Sequence, residues 1–487
     1  MKSPSTNPAP RWVLLTKQTI PVLWWVLSLG WLSADKLIRD GDEEGHVGAA
    51  ELFMDDLNQG DWLGFLERLW VGPMGEYPQA FSAGLGAWWW AMGGGDPGWV
   101  GVRAVCLFSL LITALATGRI ARRTVSPERA LMAEIAAMST VLMLPLGNGL
   151  TRHFMPEGAL MAAVSLAILA ALRLTENPSR WRGVQLGLIL GIGMLTKQTF
   201  ALLVLVPVLV LFGRLRRSLW MPLGLSTGVA LIVTGPWWVM NHGAQLDYTT
   251  AAVMSHGSGG LAAHLGYYPE HVFLLGLGPA IFLITILAIF SLWASRSHRG
   301  LTLGLAWLLG GLLILLFIPK KYPRLMAPLM PAAAVLIGAA FATLNKHKPK
   351  LMISLSIAAG LIVTLASTVQ TLSPRPTPSI DPGCPQIWLR PPSGQDLGLS
   401  AVAAALHSKA PGAVLIENDQ PIPCAIQTTH NWASHLGPWL RRAGEDREIH
   451  TDPLREHRHV ISLIPGGGDI ALQGLRYGIT IRDTLQP

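Results

Sequence analysis

An acidic cluster follows the first apolar run of this sequence. Asp42 and Glu43 stand shortly after that run, and His46 comes next. A carboxylate held at the rim of a membrane can act as a general base or can bind a metal ion. The same pair also fits a structural role, in which Asp42 caps a helix and Glu43 favours the positive end of its dipole. Both roles are compatible, because a cap also fixes the geometry of the carboxylate.

A second group of residues suited to chemistry consists of cations in short turns between apolar runs. Glu157 shares one of these turns. Such cations can hold a phosphate at a membrane surface, and snorkelling of their side chains to the lipid headgroups is the structural alternative. The five cations are Arg152, Lys197, Lys320, Lys321 and Arg324.

The composition indicates the environment in which these groups work. Of 487 residues, 51% are hydrophobic and only 14% are charged, against roughly 25% charged in an average soluble domain. This excludes a soluble enzyme and a disulfide-rich secreted module. The formal net charge of +8 reflects basic turns between apolar runs, so we interpret it as a topology signal and not as a nucleic-acid surface.

The apolar runs predict an all-α polytopic membrane protein with about eleven crossings. Lys and Arg are frequent in alternate turns, which places the N-terminus inside and the five cations above outside. The first outer segment is 34–98, and a second outer loop covers 241–270. The predicted spans are 12–33, 99–118, 128–147, 157–174, 183–196, 199–213, 218–240, 270–294, 300–318, 323–344 and 350–371.

The pattern divides the chain into a transmembrane domain, 1–371, and an extracytoplasmic domain, 372–487. Short β-branched runs at 414–416, 459–464 and 477–481 predict strands, and the region fits one small α/β domain. Cys384 and Cys424 both lie there, and an oxidising compartment makes a disulfide between them plausible. We expect the inner membrane of a bacterium, with the second domain on its periplasmic side.

The ordered motifs resemble the GT-C glycosyltransferases that use polyprenyl-phosphate sugars, particularly protein O-mannosyltransferases and lipid A aminoarabinose transferases. The resemblance covers about residues 12–345. Glu157 stands where Asp is common, and the Tyr-Pro step lacks the Lys-Pro of the aminoarabinose branch, so the acceptor stays open. The motifs are Asp42-Glu43 with His46, Gly60-Asp61-Trp62, Tyr77-Pro78, Arg152 with Glu157, Leu195-Thr196-Lys197, Pro236-Trp237-Trp238 and 319–324.

The resemblance implies a role for each of these residues. Asp42 is the expected general base, which deprotonates an acceptor hydroxyl as it attacks the anomeric carbon with inversion. Glu43 and Glu157 shape the site, and Asp42 with Glu157 are the candidate ligands if a divalent metal ion takes part. The five cations hold the phosphate of the lipid-linked donor and stabilise its developing charge. His46 and Tyr77 are expected to contact the sugar or the acceptor.

Two other functions stay open at this point. A transporter or flippase of lipid-linked sugars would place charges within the spans, whereas here they collect at one face. An O-antigen ligase or polymerase would use the same donor class, with key Arg and His residues in a late outer loop. The sequence predicts membrane embedding and a polyprenyl-phosphate-sugar partner; it names neither the sugar nor the acceptor.

Overall fold

A computed structural model gives the architecture of the chain. It describes residues 11–34, 41–72, 78–94, 98–213, 216–256, 266–268, 276–296, 298–318 and 323–344, and the strand residues given below. The described residues up to 28 and from 49 to 344 form one compact unit. The strands belong to a second unit, together with residues 29–34 and 41–48.

The described residues before 345 form helices joined by short turns. Three short 3-10 segments lie at Pro127–Arg129, Arg217–Leu219 and Pro323–Leu329. Helices α1 to α14 of the described part are, in chain order, Arg11–Ala34, Gly41–Asn58, Trp62–Val71, Ala80–Ala91, Gly98–Arg123, Ala130–Met143, Pro145–Thr151, Pro156–Glu176, Arg180–Thr196, Phe200–Phe212, Trp220–His256, Gly278–Ala294, His298–Leu316 and Met330–Leu344.

The predicted spans from 12–33 to 323–344 all overlap described helices, and 350–371 lies outside the described residues. By length and composition, five helices in the described part are able to cross a membrane, or six if one bent pair forms a single span. The protein is therefore a multi-pass helical membrane protein. The count of about eleven crossings stays a prediction.

The predicted span 128–147 is wrong in one respect, because it is broken. Helices α6 and α7 meet at an angle of 61°. Leu144 between them is extended (φ −61°, ψ 121°), as expected for a residue before proline. The Asn148 amide, which is buried, donates to the carbonyls of Leu142 (2.8 Å) and Leu144 (3.0 Å) at the break and accepts from Trp24 Nε1 at 2.9 Å.

The loop predicted at 241–270 is also partly wrong. Helix α11 continues to His256, so the first half of this segment is helical and continues the span. Asn241 ties the helix to its surroundings, since its amide donates to the carbonyls of Trp237 (2.9 Å) and of Trp70 at the end of α3 (2.6 Å). Residues 257–265 lie outside the described part of the chain.

Glycines on α9 let it pack closely against α11. A Cβ added at Gly187 would lie 2.5 Å from the Ser226 carbonyl oxygen, and one at Gly191 would lie 2.7 Å from Val233 Cβ. Spacing of four residues puts these glycines on one helix face. Small residues permit such close backbone approach between membrane helices. The end of α9, which carries Lys197, is therefore held against α11.

Other helices show which faces meet lipid and which form the core. Helix α14 is central, with Ala333, Val335 and Leu336 completely buried. Large apolar side chains of α10 to α12 stay exposed within this unit, as expected for surfaces that face a bilayer. They include Leu205, Leu209, Ile232, Val239, Leu283, Leu287 and Phe290.

Helices α2 and α3 are joined by one ion pair. Arg68 Nε lies 2.7 Å from Asp56 Oδ2, and Nη2 lies 2.9 Å from Oδ1. Both contacts form a bidentate fork, the strong geometry for an Arg–carboxylate pair. The hydrogen bonds to Asp56 raise the pKa of Arg68 above its ordinary value, so the guanidinium keeps its charge at any physiological pH. This bridge fixes the turn at Gly60, where φ is +72°.

The second unit contains a mixed five-stranded sheet. Strands β1 to β5 are, in chain order, Val414–Glu417, Ile449–His450, His459–Pro465, Ile470–Ala471 and Tyr477–Asp483. Their order in the sheet is β2-β1-β3-β5-β4. Strand β1 runs parallel to β2 and β3, whereas β5 is antiparallel to β3 and β4. Strands β1, β3 and β5 stand where the sequence places strands. The connections lie outside the described residues, so the α/β class and the domain boundaries stay predictions.

Candidate active site

A buried carboxylate, Glu157, forms the centre of the candidate site. The chain enters α8 from extended Met155, and Pro156 occupies the first helical position, where a proline costs no hydrogen bond. Glu157 follows in the first turn with no exposed surface. A charged side chain so deep in protein requires a partner of opposite charge.

Two cations supply this partnership. Lys197 Nζ lies 2.6 Å from Glu157 Oε1, and Arg324 Nε lies 3.5 Å from the same oxygen. Lys197 occupies the C-cap of α9 in an extended conformation, which ends the helix and directs the chain into α10. Arg324 belongs to the 3-10 segment Pro323–Leu329, which Trp307 anchors by donating to the Pro328 carbonyl at 2.9 Å. We call Glu157, Lys197 and Arg324 the Glu157 cluster.

The Glu157 cluster carries a net positive charge. One carboxylate faces two cations whose side chains are 13% and 14% exposed. Within the part of the chain that the structure describes, Glu157 Oε2 accepts no hydrogen bond. A partly open site in which two cations lie around one carboxylate is suited to a further anion, such as a phosphate.

Arg152 and His153 lie in the turn between α7 and α8. Arg152 ends α7 and is 2% exposed, and His153 is 3% exposed. The turn is fixed by stacking of Phe154 on Phe81, with ring centroids 4.3 Å apart. The turn that contains this buried arginine therefore leads directly into the first turn of α8, where Glu157 lies. The sequence analysis selected Arg152 as a site residue and omitted His153. The one sequence signal for His153 is its position next to Arg152.

The acidic pair lies on a different element. Helix α2 begins at Gly41, so Asp42 and Glu43 occupy its first turn and Asp42 is not the N-cap. Acidic groups there still favour the helix dipole. His46 is 7% exposed. All three belong to the second unit, and their roles stay predictions.

The remaining predicted site residues lie outside the described part of the chain. They are Tyr77, Lys320, Lys321, Cys384 and Cys424. The described residues hold no group of three or more His, Cys, Asp or Glu side chains able to bind a metal ion. Glu157 already pairs with two cations, which compete with a metal for its charge. The metal site predicted at Asp42 and Glu157 stays a prediction, and we derive no step through a metal.

Comparisons with known proteins complement this geometry. The family model described as dolichyl-phosphate-mannose-protein mannosyltransferase matches residues 73–240, which include Arg152, Glu157 and Lys197. No curated protein sequence matches the chain.

Solved structures match over nearly the whole chain. ArnT from Cupriavidus metallidurans bound to undecaprenyl phosphate is 14% identical, with a TM-score of 0.62 and 94% of each chain covered. The apo structure of the same protein is 15% identical, with a TM-score of 0.60 and 93% of each chain covered. An oligosaccharyltransferase from Archaeoglobus fulgidus is 11% identical, with a TM-score of 0.48, 90% of this chain and 65% of that chain covered. The chain therefore has the fold of ArnT, and its resemblance to the GT-C glycosyltransferases is confirmed by the family match and by this fold.

Proposed function

We propose that the protein is a membrane glycosyltransferase that moves a sugar from a polyprenyl-phosphate-linked donor to an acceptor hydroxyl on the extracytoplasmic face. The observation that carries this proposal is the convergence of two cations, Lys197 and Arg324, on the buried carboxylate of Glu157. Support comes from the shared fold with ArnT, which binds undecaprenyl phosphate in one solved structure. The matching family model is named for a lipid-phosphate sugar.

The proposed reaction is a direct displacement at the anomeric carbon. The acceptor hydroxyl oxygen attacks this carbon as Asp42 accepts the hydroxyl proton. The bond between the anomeric carbon and the phosphate oxygen breaks, and polyprenyl phosphate leaves with the electron pair. Attack from the opposite side inverts the configuration. A positioned general base typically contributes about 10²–10⁴-fold to such a step.

The cations act on the leaving group. Negative charge grows on the phosphate oxygen as the glycosyl bond breaks, and Lys197 with Arg324 stabilises it in a site shielded from water. Glu157 holds both cations in place before the donor arrives, so no large reorganisation is required. Arg152, Lys320 and Lys321 are proposed to bind the remaining phosphate oxygens. Glu43, His46 and Tyr77 are proposed to shape the sugar and acceptor side.

Mass spectrometry of lipids that copurify with the full chain tests the donor. We expect polyprenyl phosphate or its sugar conjugate with the wild type, and depletion of at least tenfold in Lys197→Met/Arg324→Met, since two charge-assisted contacts are lost. The chain contains a matched control. Lys17 and Arg122 also pair with a buried glutamate, Glu134, at 2.7 and 3.1 Å, and Lys17→Met/Arg122→Met should keep the lipid. Equal lipid content in all three proteins contradicts the proposal.

The ratio of sugar-conjugated to free polyprenyl phosphate among the copurified lipids also tests the transfer reaction. Asp42→Asn should retain the sugar-conjugated lipid and raise its ratio to free polyprenyl phosphate, because transfer stops while donor binding continues. Asp55→Asn is the control, since Asp55 is exposed on the same helix. An unchanged ratio in Asp42→Asn favours a transporter, which carries the lipid-linked sugar intact.

A further inference from the structure

A second charged group lies at the opposite end of α8 from Glu157. Glu176, in the last turn of α8, pairs with Arg123 at the end of α5. The other carboxylate oxygen of Glu176 lies 2.9 Å from Arg299 Nη2 at the start of α13. One carboxylate thus joins three helices at this end of the bundle.

More arginines converge here than Glu176 can neutralise. Arg119, Arg123 and Arg182 all lie close enough to Arg173 to repel it electrostatically. Arg182 is fixed in this position, because its Nη1 donates to the carbonyls of Arg173 (2.8 Å) and Asn177 (3.0 Å). We define the arginine cluster as Arg119, Arg123, Arg173, Arg182 and Arg299. The described contacts provide it with one carboxylate, so its net charge is strongly positive.

Two tryptophans place this cluster at the level of lipid headgroups. Trp181, between two arginines at the start of α9, is 65% exposed, and Trp220, at the start of α11, is 63% exposed. Helices α9 and α11 pack against each other at this end, where Gly183 meets Pro222. Exposed tryptophans on neighbouring helix ends are typical of the membrane–water interface.

We propose that the arginine cluster binds the phosphate headgroup of an anionic phospholipid. Guanidinium groups match phosphate oxygens in bidentate geometry, and a headgroup phosphate would supply the negative charge that Glu176 alone does not. Orientation of the protein in the membrane requires basic turns, but it does not require arginines from four helices to gather around Arg173 and Glu176. Basic pockets between membrane helices are known to hold such headgroups. This site is independent of the glycosyl transfer proposed above.

Native mass spectrometry of the full chain in detergent tests this site. Cardiolipin, which has two phosphates, is added to the protein, and phosphatidylcholine is the neutral comparison. Arg119→Gln/Arg299→Gln should weaken cardiolipin binding by roughly tenfold or more, given the usual contribution of each cation near a lipid surface. Arg129→Gln/Arg217→Gln removes the same charge from turns outside the cluster and should leave binding within about twofold.

The outcomes distinguish a specific phospholipid site from nonspecific electrostatic attraction to basic residues. Loss confined to the cluster variant supports the proposal, whereas equal loss in both double variants, or no loss in either, overturns it. Glu176→Gln provides a test with the opposite sign, because it removes the anion that competes with the phosphate. Cardiolipin binding to this variant should become severalfold tighter, and weaker binding would overturn the proposal even if the double variant fails to fold.

Discussion

The chemistry of Glu157 follows from its burial. An ionised carboxylate without exposed surface is stable only beside positive charge, and here Lys197 at 2.6 Å and Arg324 at 3.5 Å provide it. Glu134 forms the same trio with Lys17 and Arg122, but those cations are 30% and 53% exposed. The cations of Glu157 are less solvated, so each charge there depends more on its partner.

Removal of either partner should therefore be costly. Glu157→Gln removes the carboxylate that two poorly solvated cations contact and should lower stability by about 3–5 kcal/mol. Lys197→Met should also destabilise, because Glu157 then keeps only the longer contact. The double variant should lose less than the sum of the two, since the carboxylate and the ammonium are removed together. Thermal unfolding of the purified protein in detergent measures all three.

Glu134→Gln is the matched control for this comparison. Its cations are more exposed, so the apparent Tm should fall less than in Glu157→Gln. Additive losses in the Glu157 and Lys197 variants would contradict the ion pair. Equal losses at Glu157 and Glu134 would contradict the argument from solvation.

At the scale of elements, the glycines of α9 decide where Lys197 lies. Gly187→Ala forces a methyl group toward the Ser226 carbonyl, 2.5 Å from the ideal Cβ position, and separates α9 from α11. We expect a loss of about 1–3 kcal/mol, as for other overpacked positions. Gly228→Ala on α11 is the control, because its Cβ would meet nothing within 4 Å. It should be neutral or stabilising by up to about 1 kcal/mol, since alanine favours the helix.

Thermal unfolding of these two variants gives the first readout, and copurified lipid gives the second. Gly187→Ala should reduce both, because the end of α9 holds Lys197 against Glu157. If Gly228→Ala loses as much stability as Gly187→Ala, close packing of α9 on α11 is not what positions Lys197.

The helices could be predicted because long apolar runs leave the chain few alternatives in a membrane. The break at Leu144 could not be predicted from hydropathy, since Asn148, which donates to the carbonyls of Leu142 and Leu144, lies within an otherwise apolar segment. The extension of α11 to His256 could not be predicted for the opposite reason: the last turns of this helix are polar, so their sequence resembles a loop. Hydropathy alone registers neither effect.

The residues of the candidate site could be predicted from the sequence only in part. Lys197 and Arg324 were selected because cations in outer turns oppose the orientation rule, and Glu157 because it shares such a turn. The structure brings these three together. The ion pairs between Glu157 and these two cations were not predicted, since all five outer cations were expected to bind the phosphate of the donor. Glu134 and Glu176 were missed entirely. Glu176 stands in a basic turn that fits the orientation rule, and Glu134 lies inside the predicted span 128–147 beside such a turn, so the count of outer charges selected neither.

At the scale of the whole molecule, α8 connects the Glu157 cluster at its N-terminal end with the arginine cluster at its C-terminal end. From Glu157 to Glu176 a helix rises about 28 Å, close to the roughly 30 Å of a hydrocarbon core. The Glu157 cluster and the arginine cluster therefore lie near opposite surfaces of the bilayer. Helix α5 runs in the reverse direction to Arg123, which pairs with Glu176. Met92, just before α5, must then lie at the Glu157 end.

This arrangement makes the predicted orientation testable with two cysteines. Met92 is 67% exposed, and Asn177 is exposed in the turn after α8. In a background with Cys106→Ala, Cys384→Ser and Cys424→Ser, a membrane-impermeant maleimide should label Met92→Cys in intact bacterial spheroplasts. Asn177→Cys should be labelled only after permeabilisation, because the basic turns stay inside. The reverse pattern would place the Glu157 cluster in the cytoplasm and contradict an extracytoplasmic reaction, whereas labelling of both in intact spheroplasts would contradict α8 as a membrane span.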